Sequence, residues 1–578
     1  MNDLVEEKIR TDILIMGAGG AGARAAIAAG EGGARVVITS KDLFGRSGCT
    51  PVAMGGYAGM QGYPGDDWLL HFHDTCMGGG LLNNQRLAEL LAKGARDALL
   101  ELEDWCAAFD RDEKGKIYLR KFGGHLVPRS CISGDRTGRE MMWALKRKCW
   151  ATDLIQIVDE VYMTKLLVTD GKIAGAIGVN LRTGKITVFE CPAIILAAGG
   201  CGRNWHITFS SKGKVGDGLR VAYEAGAEML DMEFFQIHPT GWLWPPAIRG
   251  RVVSEGVRAD GGRLFNSKGE RFMEKYDPVK MELATRDYVS RCIFTEVKEG
   301  RGSEHGGVYL DVTHLPAEFI ERRLGSVLET GLVGGVDIRK QPFEVIPEHH
   351  YQNGGVKINE HGETAVKGLY AAGEQAGGVH GGNRLGSNSL PDLLVFGKRT
   401  GEAAAQYVKN VKAPKIEEHQ VEEEVKNISR PLEKEEGVSP YSLSKRLHEI
   451  MWEEMGIARS EKGLKRCLDT IGEVGEDFAE VSVPGRSLKY NDAWLTAMEV
   501  RTRVLVGEIM VRASLMRTES RAGLYREDYP RTDRSEWDKN IVVSQENGQM
   551  KLERQPVVAT ILPLEEVDLP EFPVPGNK

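Results

Sequence analysis

Residues 11–40, TDILIMGAGGAGARAAIAAGEGGARVVITS, decide the fold. The first six, TDILIM, read as a short buried strand, residues 21–29 as an alanine-rich helix, and residues 34–40 as a second strand. The GAGGAG turn between the first strand and the helix lets the backbone bend tightly and approach a ligand. The helix N-terminus behind it can receive a pyrophosphate. This is the βαβ opening of a dinucleotide-binding unit. The acidic ribose partner usual at the end of the second strand is missing, because that strand runs into TSKD with Ser40 and Lys41.

Two later segments repeat the texture of the first strand. AIILAAGG (193–200) and GLYAAGE (368–374) are apolar runs that end in small residues, as needed where backbone lies against a bound cofactor. Three such strands, so far apart in the chain, predict one cofactor domain interrupted by a large insertion. The expected division is 1–240 and 349–410 for the cofactor domain, 241–348 for a capping domain, 411–530 for a helical domain and 531–578 for a tail. Residues 415–437, with eight acidic and four basic side chains, read as a solvated linker or exposed helix. Residues 442–473 and 492–517 have helical texture, and Leu495, Met498, Leu505, Ile509, Ala513 and Met516 are expected on one core-facing side. The tail from residue 537 shows proline-bounded extended segments, lying along the body or against a partner. There is no internal repeat.

Composition narrows the class. Glycine supplies 70 of 578 residues, about 12% against a usual 7%, yet there is no G-X-Y period and hydrophobic residues make up 41%. Collagen-like and disordered chains are thereby excluded. Residues 1–400 hold 59 of the glycines and residues 401–578 only 11, which puts a compositional boundary near Gly401. The charge, 75 − 83 = −8, argues against a coat for nucleic acid or anionic membrane. Nine cysteines contain no C-x-x-C pair, so neither a zinc ribbon nor an iron–sulfur ligand set is encoded, and scattered thiols suit a reducing cytoplasm. No apolar run reaches the ~18 residues of a membrane span. ILIMGAGGAGARAAIAAG mimics a signal peptide, but its leader MNDLVEEKIR is not positively charged.

The chemistry lies in MEFFQIHPTG (232–241), SEGVRADGG (254–262), ELATRD (282–287), EHHYQNGG (348–355), HGGNRLGSNSLPDLLVFG (380–397) and ESRAGLYREDYP (519–530). In this order and spacing the chain, from about residue 11 to 533, resembles the flavoprotein subunit of the succinate dehydrogenase and fumarate reductase family, which also contains L-aspartate oxidase. The resemblance implies an α/β fold with an α+β insert: a Rossmann-like FAD-binding domain interrupted by a cap and followed by helices. It implies FAD on the glycine-rich domain, exchanging hydride with a four-carbon dicarboxylate held under the cap. His238, Ser254, His350 and Arg384 match the family's substrate clamp, and Phe122 of KFGG a phenylalanine beside the substrate. Arginine suits a carboxylate because its planar fork binds bidentately and stays charged. Arg286 matches the proton donor, with Glu255 and Arg258 as a relay. For FAD the matching positions are Gly17, Ala18, Gly19, Gly20, Ala21 and Gly22 at the pyrophosphate turn, with Ser40 and Lys41 at the adenosine end. Ser47, Gly48, Thr50, Gly55, Gly56, Val161, Ala198, Gly199, Asp217, Glu374, Arg384, Ser389 and Leu390 complete the set. The family's Ser-Lys ending also accounts for the missing acidic residue.

Departures from the pattern carry their own expectations. Membrane-bound members attach FAD through the histidine of R-S-H-T, whereas FGRSGCTPVAMGG (44–56) has Gly48 and Cys49 there, so FAD is expected to be noncovalent and the enzyme to lean toward fumarate reduction. Met54 replaces a glutamine, Ser254 a threonine, and Glu348 and Gln352 stand where P-T-x-H-Y-x-M-G-G is usual. If Glu348 or Gln352 faces the cavity, the substrate is a substituted relative of fumarate. Lacking metal-cluster ligands of its own, the chain is expected to work with an iron–sulfur electron-transfer subunit. It is read as cytoplasmic, without a membrane span, peripheral to the inner face of the membrane through partners, and without nucleic acid. The competing readings are L-aspartate oxidase, a reductase of a substituted unsaturated dicarboxylate, and a flavin electron-relay subunit without turnover. Plainer readings stand beside the motifs: Glu255 and Arg258 as a surface ion pair on a helix, His71 and His73 without a metal, Cys49 and Cys201 as inert packing, and residues 78–80 as a turn.

Overall fold

Five parallel strands form the central sheet, in the order Leu369–Ala371, Ala193–Leu196, Ile13–Met16, Val36–Ser40, Ile155–Asp159. The three apolar segments read from the sequence are therefore adjacent strands. Ile13, Leu14, Ile15, Ile194, Ile195 and Leu196 are completely buried, as in a parallel sheet covered on both faces. This computed structural model describes residues 5–59, 64–485 and 487–569.

One cover is the helix Gly20–Glu31, packed against Ser389–Val408. Their backbones approach so closely that a Cβ on Gly401 would lie 2.3 Å from the carbonyl oxygen of Ala25. Gly401 is thus a packing residue inside the last helix of the cofactor domain. The compositional boundary there marks the end of close backbone approach, and the helix runs on to Val408. The other cover is an antiparallel sheet of Val161–Thr169, Lys172–Asn180 and Lys185–Glu190, with Val5–Arg10 added in parallel at its edge.

The insertion has its own core. Trp242, Val253, Val257, Leu264, Phe272, Val289, Ile293, Leu310 and Val345 form an apolar cluster separate from the main one. Its sheet runs in the order Phe235–Trp242, Phe343–Gln352, Val308–Asp311, Arg263–Phe265, all antiparallel, with the helix Arg286–Glu296 against it. The first two strands are the stems joining cap to body, and positions 241 and 348 fall within them. His238 and His350 ride on these stems.

Beyond residue 410 the charged stretch contains a helix, Glu418–Glu433, which buries Val425 and Ile428. The helix Asp492–Met516 departs from the expected one-sided stripe. Met498, Ile509 and Ala513 are buried, but Leu495, Leu505 and Met516 are only partly so, while Trp494, Ala497, Val500 and Met510 are buried as well. Neighbours surround it on several sides, so no single polar face is left. The tail is built into the body. Lys539–Glu546 and Gln549–Pro556 form a hairpin whose first strand pairs with Met229–Leu230. The last residues assigned to the tail, 570–578, lie outside the described residues.

Candidate active site

The glycine turn makes one wall of a long cavity. Gly17 has φ +106°, and a Cβ there would lie 2.4 Å from the Ala197 carbonyl oxygen, so the position admits only glycine. Gly17, Ala18, Gly19, Gly20 and Ala21 line the cavity. Gly22 does not; a Cβ on it would lie 1.8 Å from the Gly17 carbonyl oxygen, so it lets the helix close on the turn. The first N–H groups of the helix have no intrahelical acceptor and carry its positive end. One of them, Gly20 N, donates to Thr50 Oγ1 at 3.1 Å.

Ser40, Lys41, Ser47, Gly48, Thr50, Val161, Ala198, Gly199, Asp217 and Glu374 line the same cavity. Lys41 Nζ donates to Asp217 at 2.9 Å and Glu499 at 2.7 Å, and Tyr162 Oη donates to the other Asp217 oxygen at 2.9 Å. The end of the second strand is thereby tied to the long C-terminal helix. Burial opposes charge on Lys41, but Asp217 and Glu499 outweigh it and raise its pKa.

A second cavity continues from the first. Cys49, Thr50, Lys214, Glu374 and Leu393 belong to both walls. Here the structure brings together Gly55, Gly56, Phe122, His238, Ser254, Glu255, Arg286, His350, Arg384, Ser389 and Leu390. These come from residues 55–56, the loop that carries Phe122, the two cap stems, the short helix Glu255–Ala259 with its cap Ser254, the start of Arg286–Glu296 and the segment leading into Ser389–Val408. Arg258 is buried but is not among the lining residues.

One hydrogen-bonded cluster organises the charges. Arg286 donates through Nε to Glu255 Oε2 at 2.8 Å and through a terminal nitrogen to Gln236 Oε1 at 2.9 Å. Arg384 donates to the same Gln236 oxygen at 2.6 Å. The Gln236 amide nitrogen donates to Asn383 Oδ1 and the Arg384 carbonyl, which fixes its orientation. Glu255 Oε1 accepts the Gly123 N–H at 2.8 Å. Burial would raise the Glu255 pKa, but Arg286, Arg258 and the Gly123 N–H bring it down to about 2. Burial, with Arg286 close by, lowers Arg384 to about 9. The rings of His238 and His350 lie 5.1 Å apart. Burial first, then the neighbouring cations, holds both well below the ordinary histidine range, and both are neutral. The cavity thus offers two guanidinium groups, two neutral imidazoles and the Ser254 hydroxyl, which also caps its helix by accepting Gly256 N–H.

Several sequence readings change. Glu255 and Arg258 are 5% and 3% exposed, which excludes a surface ion pair. Glu348 and Gln352 do not line the cavity. The Glu348 carboxyl is enclosed near Gly241 with neither oxygen hydrogen-bonded, and burial alone pushes its pKa well above the usual range. The Gln352 side chain donates to the Phe234 carbonyl and accepts from the Cys201 thiol. Neither residue therefore calls for a substituted substrate. Met54 does face the cavity. Cys201 is buried packing, but Cys49 lines both cavities and so is not. His71 is buried and bonded to Asn388, whereas His73 is 40% exposed, so the two do not converge. Sequence reasoning passed over Gln236, Lys214, Phe209 and Tyr351; Gln236 lay two residues before His238 in a motif already singled out.

Residues 12–390 match the FAD binding domain family, and residues 444–569 the family described as fumarate reductase flavoprotein C-term. One subunit of the CoM/CoB fumarate reductase of Methanothermobacter marburgensis is 44% identical over 540 residues, covering 93% of this chain and 98% of the relative. The chain belongs to the succinate dehydrogenase and fumarate reductase flavoprotein family. It is an FAD-dependent oxidoreductase of that type. Among solved structures of the family, Sdh1 of Mycobacterium smegmatis superposes with a TM-score of 0.88 at 42% identity, covering 96% of both chains. The flavoprotein of E. coli quinol fumarate reductase gives 0.92 at 31%, covering 96% of this chain and 98% of its own. The cradle fits FAD on its own terms: glycine backbone where a pyrophosphate approaches, a helix N-terminus behind it, and room for a ring system that reaches the second cavity. No described helix is long and apolar enough to cross a membrane.

Proposed function

We propose that this chain is the FAD-containing catalytic subunit of a fumarate reductase or succinate dehydrogenase-like complex, interconverting fumarate and succinate. The observation that carries the reading is the buried Arg286–Glu255 pair, joined through Gln236 to Arg384, in a cavity continuous with the cofactor cradle. Bound FAD supplies the hydride for one alkene carbon of fumarate, or receives it from succinate. Arg384, His238, His350 and Ser254 hold the carboxylates, the planar fork of Arg384 donating twice to one of them. Phe122 packs beside the carbon chain. Arg286 gives a proton to the second carbon as negative charge grows there, and both guanidinium groups stabilise that charge. A free arginine is a very weak acid, with a pKa above ~12. Only a strongly basic carbanion takes its proton, and the ionised Glu255, with Arg258 beyond it, returns one. One hydride and one proton convert the fumarate dianion to the succinate dianion.

FAD is held without a covalent bond. Supporting this, Gly48 and Cys49 occupy the stretch where related chains carry the attachment histidine, and no histidine lines the cradle among the described residues. Without that link the enzyme leans toward fumarate reduction. Electrons pass through an iron–sulfur electron-transfer subunit, in keeping with relatives that are themselves named as subunits. The chain works on the cytoplasmic side, and any attachment to the membrane is through such partners.

The deciding experiment is anaerobic: photoreduce the FAD-loaded protein, add fumarate, and follow the return of oxidised flavin absorbance. Reoxidation is expected, and its absence sinks the proposal. Bleaching of oxidised flavin by L-aspartate would instead favour an L-aspartate oxidase.

A further inference from the structure

Lys214 stands where the two cavities meet. It lines both of them, its side chain is 5% exposed, and it matches none of the positions assigned to substrate or cofactor above. Its ammonium lies 2.6 Å from Glu374 Oε1 and donates toward Cys49 Sγ at 3.7 Å. The same Glu374 oxygen accepts the Gln352 backbone N–H at 2.9 Å, so the carboxylate is fixed by main chain as well as by the ion pair. The guanidinium groups of the second cavity are engaged elsewhere, with Gln236 and Glu255. Lys214 and Glu374 are thus the charged pair on the wall common to cofactor and substrate. Removing an ammonium from water is costly, and a carboxylate at this distance offsets much of the cost.

We infer that Lys214 sets the reduction potential of the bound FAD, with Glu374 as the counter-charge that moderates it. Two-electron reduction at neutral pH leaves the flavin ring with more negative charge than the oxidised ring carries. A cation fixed in a site of low dielectric stabilises that charge selectively. Because Lys214 is already oriented by Glu374, it need not reorganise when the charge appears. This deepens the noncovalent reading above and rests on it: with no covalent bond to the ring, the fixed charges around the flavin set its potential. Lys214 is a tuning residue in this account and not a proton donor.

The test is a spectroelectrochemical titration of FAD-loaded protein without substrate, on the parent chain and on Lys214→Met, Lys214→Gln, Lys214→Arg and Glu374→Gln. The Met and Gln variants are expected to shift the equilibrium at least tenfold toward oxidised flavin, ~30 mV lower for a two-electron couple. The Arg variant is expected to stay within threefold of the parent, and Glu374→Gln to move in the opposite direction. Using two neutral replacements keeps the test open if one of them fails to hold FAD. Full FAD occupancy with a midpoint within threefold of the parent in either neutral variant overturns the inference. So does an unchanged midpoint combined with weaker fumarate binding, which would make Lys214 part of the substrate clamp. If fumarate fails to reoxidise the parent while the neutral variants still shift, the substrate reading falls and the role of Lys214 stands.

Discussion

Replacing Glu255 by glutamine keeps the size of the side chain and removes its charge. Both Glu255 oxygens accept, one from Arg286 Nε at 2.8 Å and one from the Gly123 N–H at 2.8 Å. A glutamine has one oxygen, so its amide NH₂ must face one of these donors. At the least, a hydrogen bond to a charged group is lost, about 1.5–3 kcal/mol. At the most, the full attraction of the pair is lost, about 4 kcal/mol for unit charges ~4 Å apart at an effective dielectric of ~20. At 1.36 kcal/mol per tenfold, the rate of fumarate reduction should fall by about 10-fold to 10³-fold, provided proton return through Glu255 limits turnover. The assay is steady-state fumarate reduction at saturating fumarate with an excess of reduced viologen dye, with FAD content checked in parallel. Since the Glu255 pKa lies near 2, the carboxylate is ionised throughout the working range, and the loss should be the same from pH 6 to pH 9. A Glu255→Gln protein with full FAD and more than about half the parent rate would refute the reasoning, because the charge would then have no part in the proton path.

Further outcomes follow from the same geometry. Arg286→Gln should abolish fumarate reduction while FAD stays bound, and a variant keeping more than about a few percent of the rate would count against Arg286 as proton donor. His238 and His350 are held neutral, their pKa values depressed, so they lack a proton in the free protein even somewhat below the ordinary value of ~6.5. A bound dicarboxylate raises both, so binding below about pH 6.5 should take up protons; calorimetry in buffers of different ionisation heat reads this, and zero uptake would contradict it. Acid precipitation should release all the yellow colour into the supernatant, and flavin left on the chain would disprove noncovalent attachment. Gly22→Ala places a methyl 1.8 Å from the Gly17 carbonyl oxygen. It should cost about 1–3 kcal/mol or more in urea unfolding and weaken FAD binding; parent-like stability would show that the turn can yield.

Much of the site was legible because its requirements are local. A buried parallel strand must be apolar along its whole length, a pyrophosphate turn must be free of Cβ atoms, and a dicarboxylate needs fixed cationic donors. Residues 11–40 and the motifs around His238, Ser254, Arg286, His350 and Arg384 satisfy these conditions within a few positions each. The linear order pointed to one cofactor domain for the distant apolar segments, and folding sets Ile13–Met16, Ala193–Leu196 and Leu369–Ala371 side by side in one sheet.

Orientation and close approach were decided elsewhere. Glu348 and Gln352 lie two residues on either side of His350 on one strand, and alternation alone assigns all three to one face. Only His350 reaches the cavity, because Glu348 is closed off near Gly241 and the Gln352 side chain packs beside Gly200. In Asp492–Met516 the expected stripe is diluted because neighbours cover several faces. The tail hairpin is a sheet element only because Met229–Leu230 offers it an edge. Lys214 carries no mark in SSKGKVGDG to distinguish it from Lys212, yet folding puts it beside Glu374 at the junction of two cavities. Local pattern specifies which residue types a strand, turn or clamp requires. Which face is covered, and which charges meet out of water, depends on contacts between segments hundreds of residues apart, and these exist only once the chain has folded.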